Sequence, residues 1–533
     1  MKHKNYLPIY FAFAIVFGIL IGSFFNGGNS SNSLFAKKSA NEVKIERLIN
    51  YIQKEYVDDV NTDELLDGAI TQMLGKLDPH SYYIPKENLQ EITENMQGNF
   101  VGIGVQFRMI KDSITVIQTI TGGPSIKAGI KAGDRILTAN KDTLYGKKYD
   151  SNSVPKYLKG AANTTINLQV YRKTNDSLFT ISLKRGKVAI KSVAVSYMVN
   201  DSIGYIKLER FARSSYKEFK TALIKLQKNG MTDLVLDLRG NGGGYVDIAQ
   251  KIVDEFLEDN KLIVFTKDNK GKIDEYFSSE KGSFEKGGLY VLIDQNSASA
   301  SEIVAGALQD NDRGITLGRR SFGKGLVQEE KDLGDGSAVR LTIARYYTPT
   351  GRSIQKPYEK GKENTYSRDL NNRVKSGELL SKDSIKVVDS LKFTTPKGKV
   401  VYGGGGIVPD VFVAVDTTSY LNSFYFNTIQ NFAFDWVDNN RKKLTKNSLE
   451  NFILNYNIDT SYDAYLKSIN STLKDTRRNY KQRFKPSGKI EKTLKEYLKA
   501  AIASQIYGDD GFYRVIQADD KMLQKVLELE TKN

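Results

Sequence analysis

"LYVLIDQNSASASEIVAGALQD", Leu289 to Asp310, opens as an unbroken apolar run, passes through three serines set between small residues, and closes in an apolar pattern at helical spacing. "TDLVLDLRGNGGGYVDIAQKIV", Thr232 to Val253, follows the same plan. Each reads as a buried strand, a small polar loop and an amphipathic helix. Two such units predict α/β organisation, in which the loops after the strand ends carry the ligand site. Both loops are therefore expected to face one cleft.

The three hydroxyls raise the question of a nucleophile. The chain holds two histidines, His3 and His80, and neither lies near the serines. Ser299 with Glu302 fits S-x-x-E, a capping box for a helix continuing through Ile303, Val304, Ala307 and Leu308. Spacing alone favours that cap. A helix start also gathers free N–H groups and a positive dipole end, so the cap does not exclude catalysis. The absence of cysteine excludes disulfides, thiolate metal sites, a thiol nucleophile and lipid attachment at Cys. Chemistry must come from Ser, Thr, Lys or carboxylates.

Downstream, "LGRRSFGKGLVQ", Leu317 to Gln328, sets Lys324 between glycines. Gly318, Gly323 and Lys324 fit the first part of a phosphate-binding G-x-x-x-x-G-K-[ST] loop. Gly325 stands where the Mg²⁺-binding hydroxyl belongs, and the following LVQEEKDL is weakly helical at best, which argues against a nucleotide site.

At 533 residues and 40% hydrophobic content the chain can form three or four domains with real cores. The net charge of +16 is spread without a dense basic block, so it reads as solubility and attraction to anionic lipid, not nucleic-acid binding. MKHKNY precedes the uncharged run Leu7 to Phe25 and a Gly/Ser/Asn linker. That describes an export signal, here expected to be an uncleaved anchor with Lys2 and Lys4 inside and the bulk of the chain outside the cytoplasmic membrane. Residues 1–40 are assigned to anchor and linker and 41–95 to a helical segment, with Asn61 and Glu64 as a capping box. Its apolar stripe (Ile45, Leu48, Ile49, Ile52, Tyr56) calls for a partner surface: a second copy or, in preference, the neighbouring domain. A homo-oligomer or an adaptor is left open. Residues 187–415 form the α/β core, with a charged insertion between about 356 and 400, and 416–533 form a helical extension with a stripe through Ile490, Leu494, Tyr497, Leu498, Ala501 and Ile502.

Residues 96–186 carry strand signals separated by Gly, Asn and Asp turns. This segment resembles a PDZ domain, through Val101-Gly102-Ile103-Gly104-Val105 and through "GGPSIKAGIKAGDRIL" with Pro124, Ala128, Gly129, Gly133 and Asp134. The resemblance implies that the glycine-containing loop offers N–H groups to a peptide's terminal carboxylate while the peptide adds as a strand.

Six landmarks in order then resemble the carboxyl-terminal processing peptidases, tail-specific serine proteases with a Ser-Lys pair. They are Leu77-Asp78-Pro79-His80-Ser81, Asp237-Leu238-Arg239-Gly240-Asn241, SASASEI, Phe322-Gly323-Lys324-Gly325 with Gln328, Tyr346-Tyr347-Thr348-Pro349 with Gly351-Arg352-Ser353-Ile354-Gln355, and Gly404-Gly405-Gly406-Ile407 with Pro409-Asp410. The resemblance implies a crotonase-like α/β protease core with an inserted PDZ domain. It implies Ser299 as nucleophile, Lys324 as general base and Gln328 as the residue orienting the lysine, with Ser297 and Ser301 as loop and cap residues and His80 structural. Backbone N–H groups of Gly243 or Gly244 and of Ala300 would face the oxyanion. The family usually shows N-P-G-G where this chain has Asn241-Gly242-Gly243-Gly244, a looser loop. No metal or cofactor is required, and the expected partners are protein or peptide substrates bound by their C-termini. Competing expectations are a non-catalytic PDZ adaptor and a crotonase-like acyl-CoA enzyme.

Overall fold

The structure, a computed structural model, describes residues 10–17, 39–110, 112–146, 151–359, 366–417, 421–476 and 485–531. The anchor expected over Leu7 to Phe25 lies outside the described residues except for the helical stretch 10–17. None of the described helices is long and apolar enough to cross a membrane. The chain divides into Met1–Ile70 and Thr71–Asn533. In the first unit the helix Ala40–Glu55 starts at a formed capping box, in which Ser39 and Glu42 exchange hydrogen bonds. It buries no residue, and Ile45, Leu48 and Tyr51 stay exposed. Asn61 Oδ1 accepts from the N–H groups of Asp63 and Glu64 at the start of Thr62–Gly75.

The second unit is built around two sheets with helices between them. One runs Val193–Met198, Ile203–Leu208, Asp233–Asp237, Leu289–Ile293, Ile315–Gly318, Val411–Phe412; its first pair is antiparallel and the rest are parallel. Strands covered on both faces must be apolar throughout, and every residue of Leu289–Ile293 is buried. The other sheet joins Tyr82–Ile84, Ala338–Tyr347, Leu262–Asp268 and Ile273–Phe277, with Leu326–Asp332 also paired to Ala338–Tyr347. LVQEEKDL is thus a strand, because its partner ladder overrides a weak local preference.

The helix Ala300–Asp310 is buried at all 11 positions. Its small residues make that possible: a Cβ on Gly306 would stand 2.9 Å from Thr348 Cγ2 and 3.1 Å from Ile407 Cδ1. Around it Phe219, Leu223, Ile252, Phe256, Val291, Ile303 and Tyr346 share one core. Each such side chain contributes about 1.5–3 kcal/mol by leaving water. At the helix end Asp310 and Arg352, both fully buried, pair at 2.7 Å.

The PDZ-like segment has its own core, including Ile103, Val116, Ile136, Leu168 and Leu183. Its sheet runs Val105–Ile110, Ser113–Thr119, Arg135–Ala139, Thr165–Arg172, Ser177–Lys184, so Val105–Ile110 is an edge strand. The C-terminal residues add a helical body with a third core, in which Leu494, Leu498, Ala501 and Ile502 of Gly488–Tyr507 are buried. Its last helix, Lys521–Glu530, sets Met522, Leu523 and Val526 against Val195, Tyr205, Val235 and Leu292 on the outer face of the parallel sheet. Its first helix, Ser423–Leu444, meets the PDZ-like segment through Asp438, which accepts from Arg135 at 2.8 Å and Lys173 at 3.2 Å.

Candidate active site

Ser299 sits where the chain leaves Leu289–Ile293 and enters Ala300–Asp310 as the helix N-cap. Its φ of 57° and ψ of −116° lie outside the conformations ordinary residues prefer, a strained turn that holds the side chain at the helix entrance. The neighbouring serines are occupied elsewhere. Ser297 Oγ donates to the Leu238 carbonyl at 2.8 Å and Ser301 Oγ to the Asn241 carbonyl at 2.9 Å. Both therefore tie the serine loop to the glycine loop.

That glycine loop lies against Ser299. A Cβ on Gly243 would come 2.8 Å from Ser299 Cβ, 2.8 Å from the Ala298 oxygen and 3.0 Å from the Ala300 nitrogen. The φ values of 100° at Gly243 and 147° at Gly244 also call for glycine. The loop is pinned despite lacking proline. Buried Asn241 bonds its side chain to the Leu208 carbonyl and the Gly243 N–H, each at 2.9 Å, and Gly243 O accepts from Phe211 at 3.0 Å. The Gly243 N–H is thereby occupied. Among the described residues, the Gly244 and Ala300 N–H groups carry no hydrogen bond.

Ser299, Gly243, Gly244, Lys324 and Gln328 line one cleft of about 460 Å³. Thr93 and Met96 of the helix Lys86–Gln97 complete one side, with Arg340 and Glu330 on another. Lys324 Nζ donates to Gln328 Oε1 at 2.8 Å, not to the serine hydroxyl. Gln328 Nε2 in turn donates to the His80 carbonyl. His80 is held because Asp78 accepts from the N–H groups of His80 at 2.8 Å and Ser81 at 3.0 Å, and from the Thr342 hydroxyl at 3.1 Å. The Asp-Pro-His-Ser motif thus braces the glutamine through a main-chain oxygen. The His80 ring bonds Tyr366 Oη at 2.7 Å and is kept neutral, its pKa pushed down to about 4 by burial and by the Lys324 charge.

Burial, and after it the Arg340 cation, push the Lys324 ammonium down to about 8, against the opposing pull of Glu302 and Asp78. About a tenth of such a lysine is neutral at pH 7, against fewer than about one in a thousand for a free one.

Glu302 does more than cap. Its Oε2 accepts from the N–H groups of Ser299 and Lys324, both at 2.9 Å, and its Oε1 from Gly323 N–H at 2.7 Å and Ser321 Oγ at 2.5 Å. Burial pushes this carboxyl up to about 6, while the four donors stabilise the anion. Tyr346, fully buried, places its hydroxyl 2.8 Å from the Lys324 carbonyl and 3.2 Å from that of Ser299. Local spacing identified Glu302 as a cap and could not show its bonds to the lysine loop. Arg340 carried no signal in the sequence.

None of the residues Val101 to Val105 lines this cleft. Val101 and Gly102 pair with Lys187 and Gly186, and the Ile103 and Gly104 carbonyls accept from Ser125 and Ile120. Gly104, at φ 79°, turns the chain into Val105 and the edge strand. Among the described residues no cluster of His, Cys, Asp or Glu is placed to hold a metal ion.

Residues 202–366 match the model of peptidase family S41, 101–183 the PDZ domain, 26–88 the N-terminal domain of the activating protease CtpB, and 420–508 a family of unknown function. The carboxy-terminal processing protease CtpB of Bacillus subtilis (strain 168) is 32% identical over 349 residues, 64% of this chain and 71% of that protein. A probable CtpA-like serine protease of Staphylococcus aureus (strain MRSA252) is 34% identical over 319 residues, 59% of this chain and 63% of its own length. Among solved structures, the photosystem II D1 C-terminal processing protease matches with a TM-score of 0.37 and 27% identity, over 70% of this chain and 86% of its own.

Proposed function

The chain belongs to the carboxy-terminal processing serine proteases of peptidase family S41, and on that footing we propose that Ser299 and Lys324 form its catalytic pair. The observation that carries this reading is the desolvated lysine, held by Gln328 in the cleft that Ser299 lines. Neutral Lys324 takes the proton from Ser299 Oγ as that oxygen attacks the scissile carbonyl carbon. The Lys324–Ser299 hydrogen bond forms when substrate closes the site, as such bonds commonly tighten only in the bound complex. Gly244 and Ala300 N–H groups receive the oxyanion, and Gly243 shapes the loop around them. Losing one such donor typically slows a reaction 10²-fold or more.

As the tetrahedral intermediate collapses, the Lys324 ammonium gives its proton to the leaving amine and the acyl stays on Ser299. Water then attacks the ester with Lys324 again as base, releasing the new C-terminus and restoring the serine. Gln328 keeps Nζ directed into the cleft throughout. No step needs a metal or cofactor.

The PDZ domain gives the enzyme its preference for protein C-termini. The Val101–Val105 loop receives the terminal carboxylate and the tail adds to the free edge of Val105–Ile110. Such a tail binds apart from the cleft, so the enzyme cuts as an endopeptidase. We place it at the cell envelope, held in the cytoplasmic membrane by Leu7 to Phe25 with its catalytic part in the periplasm, and read the α/β core as crotonase-like.

The test is labelling with a fluorophosphonate, followed by mass spectrometry to locate the modified serine, and hydrolysis of a protein substrate by the full chain. Modification at Ser299, with turnover abolished in Ser299→Ala and in Lys324→Ala, is expected. Hydrolysis that survives either substitution sinks the assignment.

A further inference from the structure

The charged stretch after residue 355 reads as an insertion in the sequence, and part of it reaches the loop that carries Lys324. Arg373, on the short helix Asp369–Lys375, is only 4% exposed. Its guanidinium donates to two successive main-chain oxygens of that loop, Ser321 O at 3.0 Å and Arg320 O at 2.5 Å. Glu378 lies beneath, accepting from Arg373 Nε at 2.7 Å and from Arg320 Nε and Nη2 at 2.7 and 2.6 Å. One carboxylate therefore locks the insertion's arginine to the loop's own arginine. Lys356 adds a second hold, its N–H on Gly323 O at 2.9 Å and its ammonium 3.9 Å from the centre of the Phe322 ring.

The loop needs such holding. Gly323 has φ 89° and Lys324 is followed by Gly325, so the segment has little stiffness of its own. Glu302 ties its inner side to the serine through Gly323, Lys324 and the Ser321 hydroxyl, and the Ser321 and Phe322 N–H groups bond Ile407 O and Ser297 O, whereas the Arg320 and Ser321 carbonyls take their donors from Arg373. A buried guanidinium suits this task because its rigid planar fork holds two carbonyls and the Glu378 carboxylate in one fixed geometry, which the compact ammonium of a lysine does not match. A buried cation left without Glu378 would be strongly unfavourable, so the pair is retained as a unit.

We infer that Arg373 is a positioning residue for catalysis: from the insertion it clamps the Arg320–Ser321 backbone and so fixes where Lys324 presents its amine. The inference rests on the Ser299–Lys324 reading above. It differs from a merely structural role in predicting a change in the lysine's protonation. A loosened loop admits water, and the rising limb of the pH–rate profile moves to higher pH.

The experiment compares the full chain with Arg373→Ala, Arg373→Lys and Ser299→Ala. Casein hydrolysis is followed across neutral to alkaline pH, with amide hydrogen exchange of residues 320–325 and thermal melting. Arg373→Ala is expected to lose about 10²-fold in kcat, the scale of a catalytic group misplaced by about 1 Å, with KM changed less than about twofold. Its pH limb moves alkaline and the loop amides exchange faster. Arg373→Lys, which keeps the charge but lacks the planar fork, loses about tenfold and shifts in the same direction. A folded Arg373→Ala with wild-type kcat, limb and exchange overturns the inference. If that variant does not fold, Arg373→Lys decides: wild-type values in all three readouts overturn it equally. Should Ser299→Ala still hydrolyse casein, the Ser-Lys reading fails instead, and loop exchange still reports whether Arg373 is the clamp.

Discussion

Ser299 and Lys324 donate their backbone N–H groups to the same atom, Glu302 Oε2, each at 2.9 Å. Their carbonyls converge likewise on the Tyr346 hydroxyl. The separation of the two residues is therefore set from their backbones, before any side chain chooses a rotamer. Glu302→Gln keeps the shape but turns one acceptor oxygen into a donor, so at least one backbone N–H of the four donors meets a donor instead of an acceptor. Turnover and fluorophosphonate labelling are expected to fall together by about 10²-fold, and in Tyr346→Phe by about tenfold, with tail-peptide binding by the PDZ domain unchanged. Full labelling of Glu302→Gln would show that the serine does not depend on this carboxylate.

The pH dependence has two parts. The competent lysine is the neutral one, and its pKa lies at about 8, so kcat/KM should rise as pH increases through that value. Glu302 must be ionised to accept all four donors, and it takes up a proton below about 6. The logarithm of the rate should then fall with a slope near one between those values and steepen toward two below the lower. A profile flat from neutral to alkaline pH would exclude Lys324 as the base.

Gly243→Ala tests the packing of the glycine loop on the serine. The new methyl would sit 2.8 Å from Ser299 Cβ and from a carbonyl oxygen, at a φ of 100°. Backbone strain of about 1–3 kcal/mol is expected, with at least a tenfold loss of kcat as the serine is displaced. Melting curves and single-turnover kinetics measure the two effects separately. Gly240→Ala, where no atom crowds the new carbon, should leave kcat nearer the wild type.

Much of this site was legible because its parts are contiguous. The strand–loop–helix units placed Ser299 and the glycine loop on one cleft, and the family resemblance of the Gly-Lys-Gly run and Gln328 pointed to a lysine and a glutamine that the structure joins at 2.8 Å. What the sequence hid was each residue's second role. Glu302 satisfied a local capping rule so well that nothing pointed to Lys324, and Tyr346 and Arg373 act through backbone oxygens that any sequence would possess. The helical stripe of the extension was equally visible, with Leu494 and Leu498 buried as its spacing requires and Ile490 left 41% exposed at its edge. A stripe says that a face is covered and not by what, so the last helix's place against the protease sheet was not readable.

Asp438 offers a test of the join between that extension and the PDZ domain. Burial raises its pKa, but the hydrogen bonds and charges of Arg135 and then Lys173 together hold the carboxylate below the usual range. Asp438→Leu leaves the largely buried Arg135, and the more exposed Lys173, without their partner and should cost about 3 kcal/mol in a denaturant titration. Adding Arg135→Met should restore most of that loss, since an apolar pair can replace a buried ion pair at little cost. If the single substitution melts like the parent, the pair contributes nothing to holding the two bodies together.

The turn at Ser299 has a further consequence for how this protein can evolve. A residue with a side chain pays for φ 57° and ψ −116°, whereas glycine adopts such angles freely. Ser299→Gly should therefore yield a dead enzyme at least as stable as the wild type, by about 1 kcal/mol after glycine's larger unfolded-state entropy is subtracted, as a denaturant titration would read. Selection for durability alone would erase this serine, so its persistence in a lineage marks continued use of its hydroxyl.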